Sequence, residues 1–210
     1  MSLFMQHIDR NFRWAIWKMD ETIDELLELL PDSEKYRNQI ERFIAPSRKL
    51  EWLSVRVLLF TLLGKEADVA YATNGRPYLQ NVSASVSISH TKGYVAVLLA
   101  APSCNPGIDI EQYSERVCKV AHRFMHVEEH ATEYAGTQTW SLLLHWSAKE
   151  TMFKSMDASE VDFCVHLRVM PFDVQERGCF EACEYRTEQQ RYFCIHYLLH
   201  PDFVLTWVVD

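Results

Sequence analysis

The spacing of apolar and polar positions changes repeatedly along this chain, and each change marks an element. Phe12 to Trp17 is aromatic and β-branched enough for a first strand, and Thr22 to Leu30 reads as a helix with acidic residues in its early turns and Pro31 closing it. Pro46 stands where a first-turn proline belongs and Gly64 where a C-terminal glycine belongs, framing a helix through Leu50, Leu53, Val57, Leu58 and Phe60. On that helix Arg48, Trp52 and Arg56 share a face. After Asn74-Gly75-Arg76-Pro77, a turn by composition, Ala84, Val86 and Ile88 alternate with Ser85, Ser87 and Ser89 as in a half-buried strand. Thr91-Lys92-Gly93 turns the chain into apolar Tyr94 to Ala101, predicting a hairpin that displays Ser89, His90 and Lys92 near its tip.

Pro102 to Pro106 reads as a linker, dividing the chain into residues 1–105 and 106–210. The second half opens with a short strand from Gly107 to Glu111, then polar helical segments around Ser114 to Phe124 and Val127 to Tyr134, which Gly136 interrupts. A longer helix is predicted from Thr139 to Met156, and Phe163 onward reads as several strands ending in Phe203 to Val209. Each half thus gives a long helix followed by antiparallel-looking strands, an α+β pattern without low-complexity tracts or a solenoid-like repeat.

Composition fits a globular protein, with 48% hydrophobic and 24% charged residues in 210. The longest apolar runs, Val57 to Leu63 and Tyr94 to Ala101, fall well short of the roughly 20 residues that span a bilayer. Met1 to Trp14 carries His7, Asp9, Arg10 and Arg13 where a signal peptide needs a continuous apolar segment, so a cytoplasmic protein is expected. Cys104, Cys118, Cys164, Cys179, Cys183 and Cys194 lack paired metal-site spacing and are expected to be free thiols, with Cys179 and Cys183 as small packing residues. The net charge of −8 argues against nonspecific binding to nucleic acid or an anionic membrane. That acidity lies in the second half; residues 35–92 instead hold nine basic residues against four acidic ones, which suits an anionic ligand or simply a solvated face.

The most informative local pattern is Gly107-Ile108-Asp109-Ile110-Glu111. In a strand, Asp109 and Glu111 lie on one face about 7 Å apart, within reach of one cation, while Ile108 and Ile110 point into the core. The long helix offers a third carboxylate, because Trp146, Glu150 and Lys154 share a face at i, i+4 and i+8. Three carboxylates and a nearby lysine suit Mg²⁺, a hard ion that coordinates substrate phosphates, although each segment alone also fits an ordinary amphipathic surface. Ser89 and His90 can donate to a phosphate oxygen, with Arg48, Arg56 and Arg76 as countercharges. His122, His126 and His130 would face one way on a single helix, but Val127-Glu128-Glu129 looks like a new helix start, which favours a solvated surface.

Taken in order, Gly75-Arg76-Pro77, Ser87-Ile88-Ser89-His90-Thr91, Gly107-Ile108-Asp109-Ile110-Glu111, Phe124 to Glu128 and Trp146-Ser147-Ala148-Lys149-Glu150 with Lys154 resemble the 4′-phosphopantetheinyl transferases of the larger, Sfp-like type. The resemblance spans about residues 46 to 156. It implies a pseudodimer of two similar α+β halves, each a long helix on a small, mostly antiparallel sheet, with coenzyme A and Mg²⁺ in the cleft between them. It also implies a reaction: the phosphopantetheine arm of coenzyme A moves to a serine of an apo acyl or peptidyl carrier protein, releasing adenosine 3′,5′-bisphosphate.

By position, residues 1–105 would supply the coenzyme A phosphate and adenine contacts, and 106–210 the metal-binding acids and catalytic helix. Asp109, Glu111 and Glu150 would hold Mg²⁺. Ser89 and His90, followed by Thr91, would meet the 3′-phosphate side with Arg56 and Arg48 assisting, and Gly75, Arg76 and Pro77 would line the adenine region. Lys149 and Lys154 would face the pyrophosphate, Lys154 acting on the leaving group and Glu150 on the carrier serine's proton. Arg76 stands where lysine is common and Thr91 where serine is common; the first keeps charge with a different fork geometry, the second keeps a hydroxyl. Two fused halves suit a monomer. The competing expectations are another Mg²⁺-dependent phosphate enzyme, such as a hydrolase of a small nucleotide, and a non-catalytic carrier-binding module.

Overall fold

A computed structural model describes residues 2–156 and 158–210, which fall into two compact units, Met1–Ser103 and Cys104–Asp210. The first unit begins with strands β1 (Leu3–Ile8) and β2 (Phe12–Lys18), followed by helices α1 (Ile23–Glu28), α2 (Ser33–Ile40) and α3 (Pro46–Leu63). Thr22 caps α1 in a reciprocal box with Glu25. Pro46 opens α3, and Gly64 closes it at φ +67°, its amide reaching the Phe60 carbonyl at 2.8 Å. A small hairpin, β3 (Val69–Tyr71) with β4 (Pro77–Leu79), precedes the longer one formed by β5 (Ser85–Thr91) and β6 (Tyr94–Ala100). The antiparallel sheet runs β1-β2-β6-β5. The core joins Leu53, Val57, Leu58 and Leu59 of α3 to Trp17, Val95, Val97 and Leu99.

The second unit contains β7 (Pro106–Gln112), α4 (Arg116–Val120), α5 (Thr139–Ser155), α6 (Phe163–His166), β8 (Leu167–Val169), β9 (Arg177–Glu184), β10 (Tyr192–His200) and β11 (Phe203–Val209). Its antiparallel sheet runs β7-β11-β10-β9-β8, and α5 packs against β7 and β11. Leu144, Ala148 and Met152 of α5 share a core with Phe180, Phe193, Ile195 and Val204. Gly107 permits the close approach of β7 to the helix, since a Cβ there would stand 2.2 Å from the Thr151 carbonyl oxygen. The class is therefore α+β. In both units a strand leads into the long helix, and a later hairpin returns its last strand to pair with that first one: β2 with β6, β7 with β11.

Several expectations need correction. Strand β1 and helix α2 have no strong apolar pattern: β1 is an edge strand with little burial, and α2 buries only Tyr36 and Ile40. β5 is covered on both faces, with Ser87 and Ser89 buried beside Val86, so its alternation does not mark a solvent face. Residues 127–134 form no helix; there the Glu129 carboxylate takes the backbone amide of His126 and the Lys149 ammonium. His122, His126 and His130 therefore share no helical face. Cys183 is buried, but Cys179 is exposed on the sheet rather than packed. No described helix is long and apolar enough to cross a membrane.

Candidate active site

Within the second unit, strand alternation turns Asp109 and Glu111 toward α5 and leaves Ile108 and Ile110 buried on the opposite face. Asp109 is only 3% exposed, yet both its oxygens are met: Oδ1 by Lys154 Nζ at 2.7 Å and Oδ2 by Ser147 Oγ at 2.7 Å. Lys154 also donates to the Ile108 carbonyl at 3.1 Å. Glu111 Oε1 accepts the Trp146 indole N–H at 2.7 Å. The helical spacing of Trp146, Glu150 and Lys154 thus meets the strand spacing of Asp109 and Glu111 on one face.

Behind this cluster lies a hydroxyl relay. Ser147 spends its one proton on Asp109, so the Thr206 hydroxyl, 2.8 Å away, donates to Ser147. Thr206 is then left to accept from Thr151 at 2.6 Å. Thr206 is the register partner of Asp109 on β11, which is why the relay reaches the carboxylate. Neither Ser147 nor Thr206 was singled out from the sequence; Ser147 lies just off the Trp146 face, and Thr206 is brought in only by strand pairing.

Charge in the cluster is incompletely balanced. Burial, then the neighbouring Asp109 and Glu150 charges, push the Glu111 carboxyl up to about 7 despite the indole hydrogen bond. Burial and Asp109 likewise raise Glu150, against the pull of Lys154. Three carboxylates facing one ammonium make a hard-oxygen donor set with surplus negative charge, which fits a divalent cation such as Mg²⁺. As the side chains stand, no three His, Cys, Asp or Glu residues among those described are grouped to hold a metal. Lys154 and Ser147 engage the Asp109 oxygens instead.

Lys149 lies elsewhere. One residue before Glu150, it is rotated about 100° around the helix, and its fully buried ammonium donates to the Phe124 carbonyl at 2.6 Å, the Glu129 carboxylate at 2.8 Å and the Phe163 carbonyl at 3.0 Å. All three of its protons are used on the protein itself. Glu129 completes the hub by accepting the Val169 amide at 2.6 Å, a role no local sequence pattern announced.

In the first unit, an Arg48 guanidinium N–H lies 3.1 Å from His90 Nε2, and Arg48 pairs with Glu51 at 3.0 Å. Glu51, His90 and Thr91 line a groove of about 370 Å³ together with Ser47, Leu50 and Lys92. Ser89 is buried one residue earlier on β5. Arg56 stacks on Trp52, 3.8 Å from the ring centroid, and burial lowers its pKa to about 10 while contact with Tyr71 opposes the fall. Tyr71 is the register partner of Pro77, so Arg56 meets the hairpin that carries Gly75, Arg76 and Pro77. Gly75 adopts φ +83° in that turn, a conformation glycine takes without strain. Arg48 is thus brought to His90, and Arg56 to the Gly75–Pro77 hairpin.

The strand-and-helix site falls inside residues 105–208, which match the model of the 4′-phosphopantetheinyl transferase superfamily. The second unit belongs to that superfamily, whose class of chemistry is phosphopantetheine transfer. No curated protein matches the chain.

Proposed function

We propose that this protein is an Mg²⁺-dependent phosphopantetheinyl transferase of the larger, pseudodimeric Sfp-like type, acting on coenzyme A and an apo acyl or peptidyl carrier protein. The observation that carries the reading is the meeting of Asp109, Glu111, Glu150 and Lys154 on one face inside the matched region. The repeated order of strand, long helix and hairpin in the two units supports the pseudodimer.

Asp109, Glu111 and Glu150 would hold the metal, which when bound supplies a Lewis acid that neutralises pyrophosphate charge. Lys154, now on Asp109, would turn its ammonium to the bridging oxygen as the P–O bond breaks. The carrier serine oxygen forms the new bond to the phosphorus that bears pantetheine. Its proton passes to Glu150, and adenosine 3′,5′-bisphosphate leaves. The relay through Ser147 and Thr206 would keep the Asp109 carboxylate oriented. Ser89, His90 and Thr91, with Arg48 and Arg56, would take the 3′-phosphate side, and Gly75, Arg76 and Pro77 the adenine. Lys149 is assigned to positioning, since its protons hold the 124–129 loop to α5.

Nucleotide analysis separates transfer from hydrolysis. With coenzyme A and Mg²⁺, adenosine 3′,5′-bisphosphate should accumulate only when an apo carrier is added. Release of the nucleotide at the same rate without carrier would establish a hydrolase and overturn the proposal.

A further inference from the structure

About 100° around α5 from Trp146, the second unit holds a cavity of about 270 Å³ whose walls include Glu128, His130, Thr132, His145, Phe172 and Asp173. None of these side chains belongs to the cluster around Asp109. His145 is 3% exposed, and its Nδ1 lies 2.7 Å from the Ser141 carbonyl oxygen. A carbonyl only accepts, so Nδ1 carries the proton and Nε2 presents a lone pair. Burial opposes protonation of the ring, which keeps that lone pair available. Among the described residues none donates to Nε2. His145 lines the cavity and Nε2 is not one of the enclosed partnerless atoms, so its lone pair is open to a donor that enters there.

Of the acids in the other walls, Asp173 alone carries a charge that no described ion pair offsets. Glu128 is paired with Arg168, and Glu129 is saturated by Lys149 and two backbone amides. Asp173 is exposed at the cavity and makes no ion pair among the described residues. The Phe172 ring, with its centroid 5.4 Å from that of His145, supplies an apolar wall. A metal ion is disfavoured, since no three ligating side chains among the described residues are grouped here.

We propose that this cavity binds an organic cation bearing N–H donors, an alkylammonium or guanidinium head group, with His145 Nε2 accepting one N–H and Asp173 supplying the countercharge. A free amine and a lysine or arginine side chain of a bound protein both present such a head group; the recognition chemistry is the same.

The test is a ¹⁵N NMR titration of the full chain with methylammonium, methylguanidinium and an end-blocked Gly-Arg-Gly peptide, following the imidazole nitrogens. The Nε2 resonance should shift saturably, and His145→Phe should weaken binding at least about tenfold with circular dichroism unchanged. Asp173→Asn should weaken it several-fold. Tighter binding of the peptide than of methylguanidinium points to a protein side chain, and the reverse to a free amine. Should His145→Phe fail to fold, tetramethylammonium decides the matter in the unaltered protein. It carries the charge without N–H donors and should bind at least about tenfold more weakly than methylammonium. Equal binding of the two, undiminished binding by His145→Phe, or no saturable shift with any probe overturns the proposal.

Discussion

Lys154 sits on Asp109 at 2.7 Å, so the residue assigned to the leaving group is also the cluster's internal counter-ion. Lys154→Ala is therefore expected to lower kcat by roughly 10²-fold with a smaller rise in KM, while Mg²⁺ binds more tightly because a competing cation is gone. Steady-state kinetics across a magnesium titration check both; a pure KM effect contradicts the assignment. The Glu111 carboxyl, raised to about 7, predicts that Mg²⁺ affinity falls by up to about tenfold per pH unit below neutrality, as protons compete for the ligand. The same shift sets a stability trend. An acid whose folded pKa lies above its unfolded value stabilises the metal-free fold at low pH, and that contribution is lost as pH rises through about 7. Urea unfolding without metal, at about pH 5.5 and pH 8, should show it, and excess Mg²⁺ should offset the loss. The facing carboxylates were legible because strand and helix periods are fixed by backbone geometry. Lys149, which the resemblance puts at the pyrophosphate, points about 100° around the helix from Glu150 and spends its protons on Phe124, Glu129 and Phe163.

At the scale of elements, β7 and α5 must touch closely for their side chains to meet, and Gly107 permits it. Gly107→Ala should cost roughly 2 kcal/mol by overpacking against the Thr151 carbonyl and should lower activity by shifting α5, which thermal unfolding and turnover together check. The Lys149–Glu129 pair fixes the loop that follows α4 to the same helix. Lys149→Met leaves a buried carboxylate uncompensated and should destabilise the protein by about 3 kcal/mol; unchanged stability would remove Lys149 from its positioning role. Helix α3 was legible from Pro46 and Gly64, which mark its ends by backbone chemistry. By contrast, the 127–134 segment carries helix-compatible residues but is not helical, and its Glu129 carboxylate is engaged by a lysine twenty residues away in sequence. Such tertiary capture leaves no local pattern to read.

At the scale of the whole molecule, the chain's acidity gathers in the unit that holds the carboxylate cluster, while the basic excess of residues 35–92 lies in the unit that holds His90 and Arg48. Intact-mass spectrometry of an apo acyl carrier protein incubated with the enzyme, coenzyme A and Mg²⁺ tests the account most directly. We predict a gain of one phosphopantetheine group on the carrier, abolished by Asp109→Ala in a protein that still folds; a carrier of unchanged mass across fatty acid, polyketide and peptide-synthesis types, or a modification that survives Asp109→Ala, contradicts it.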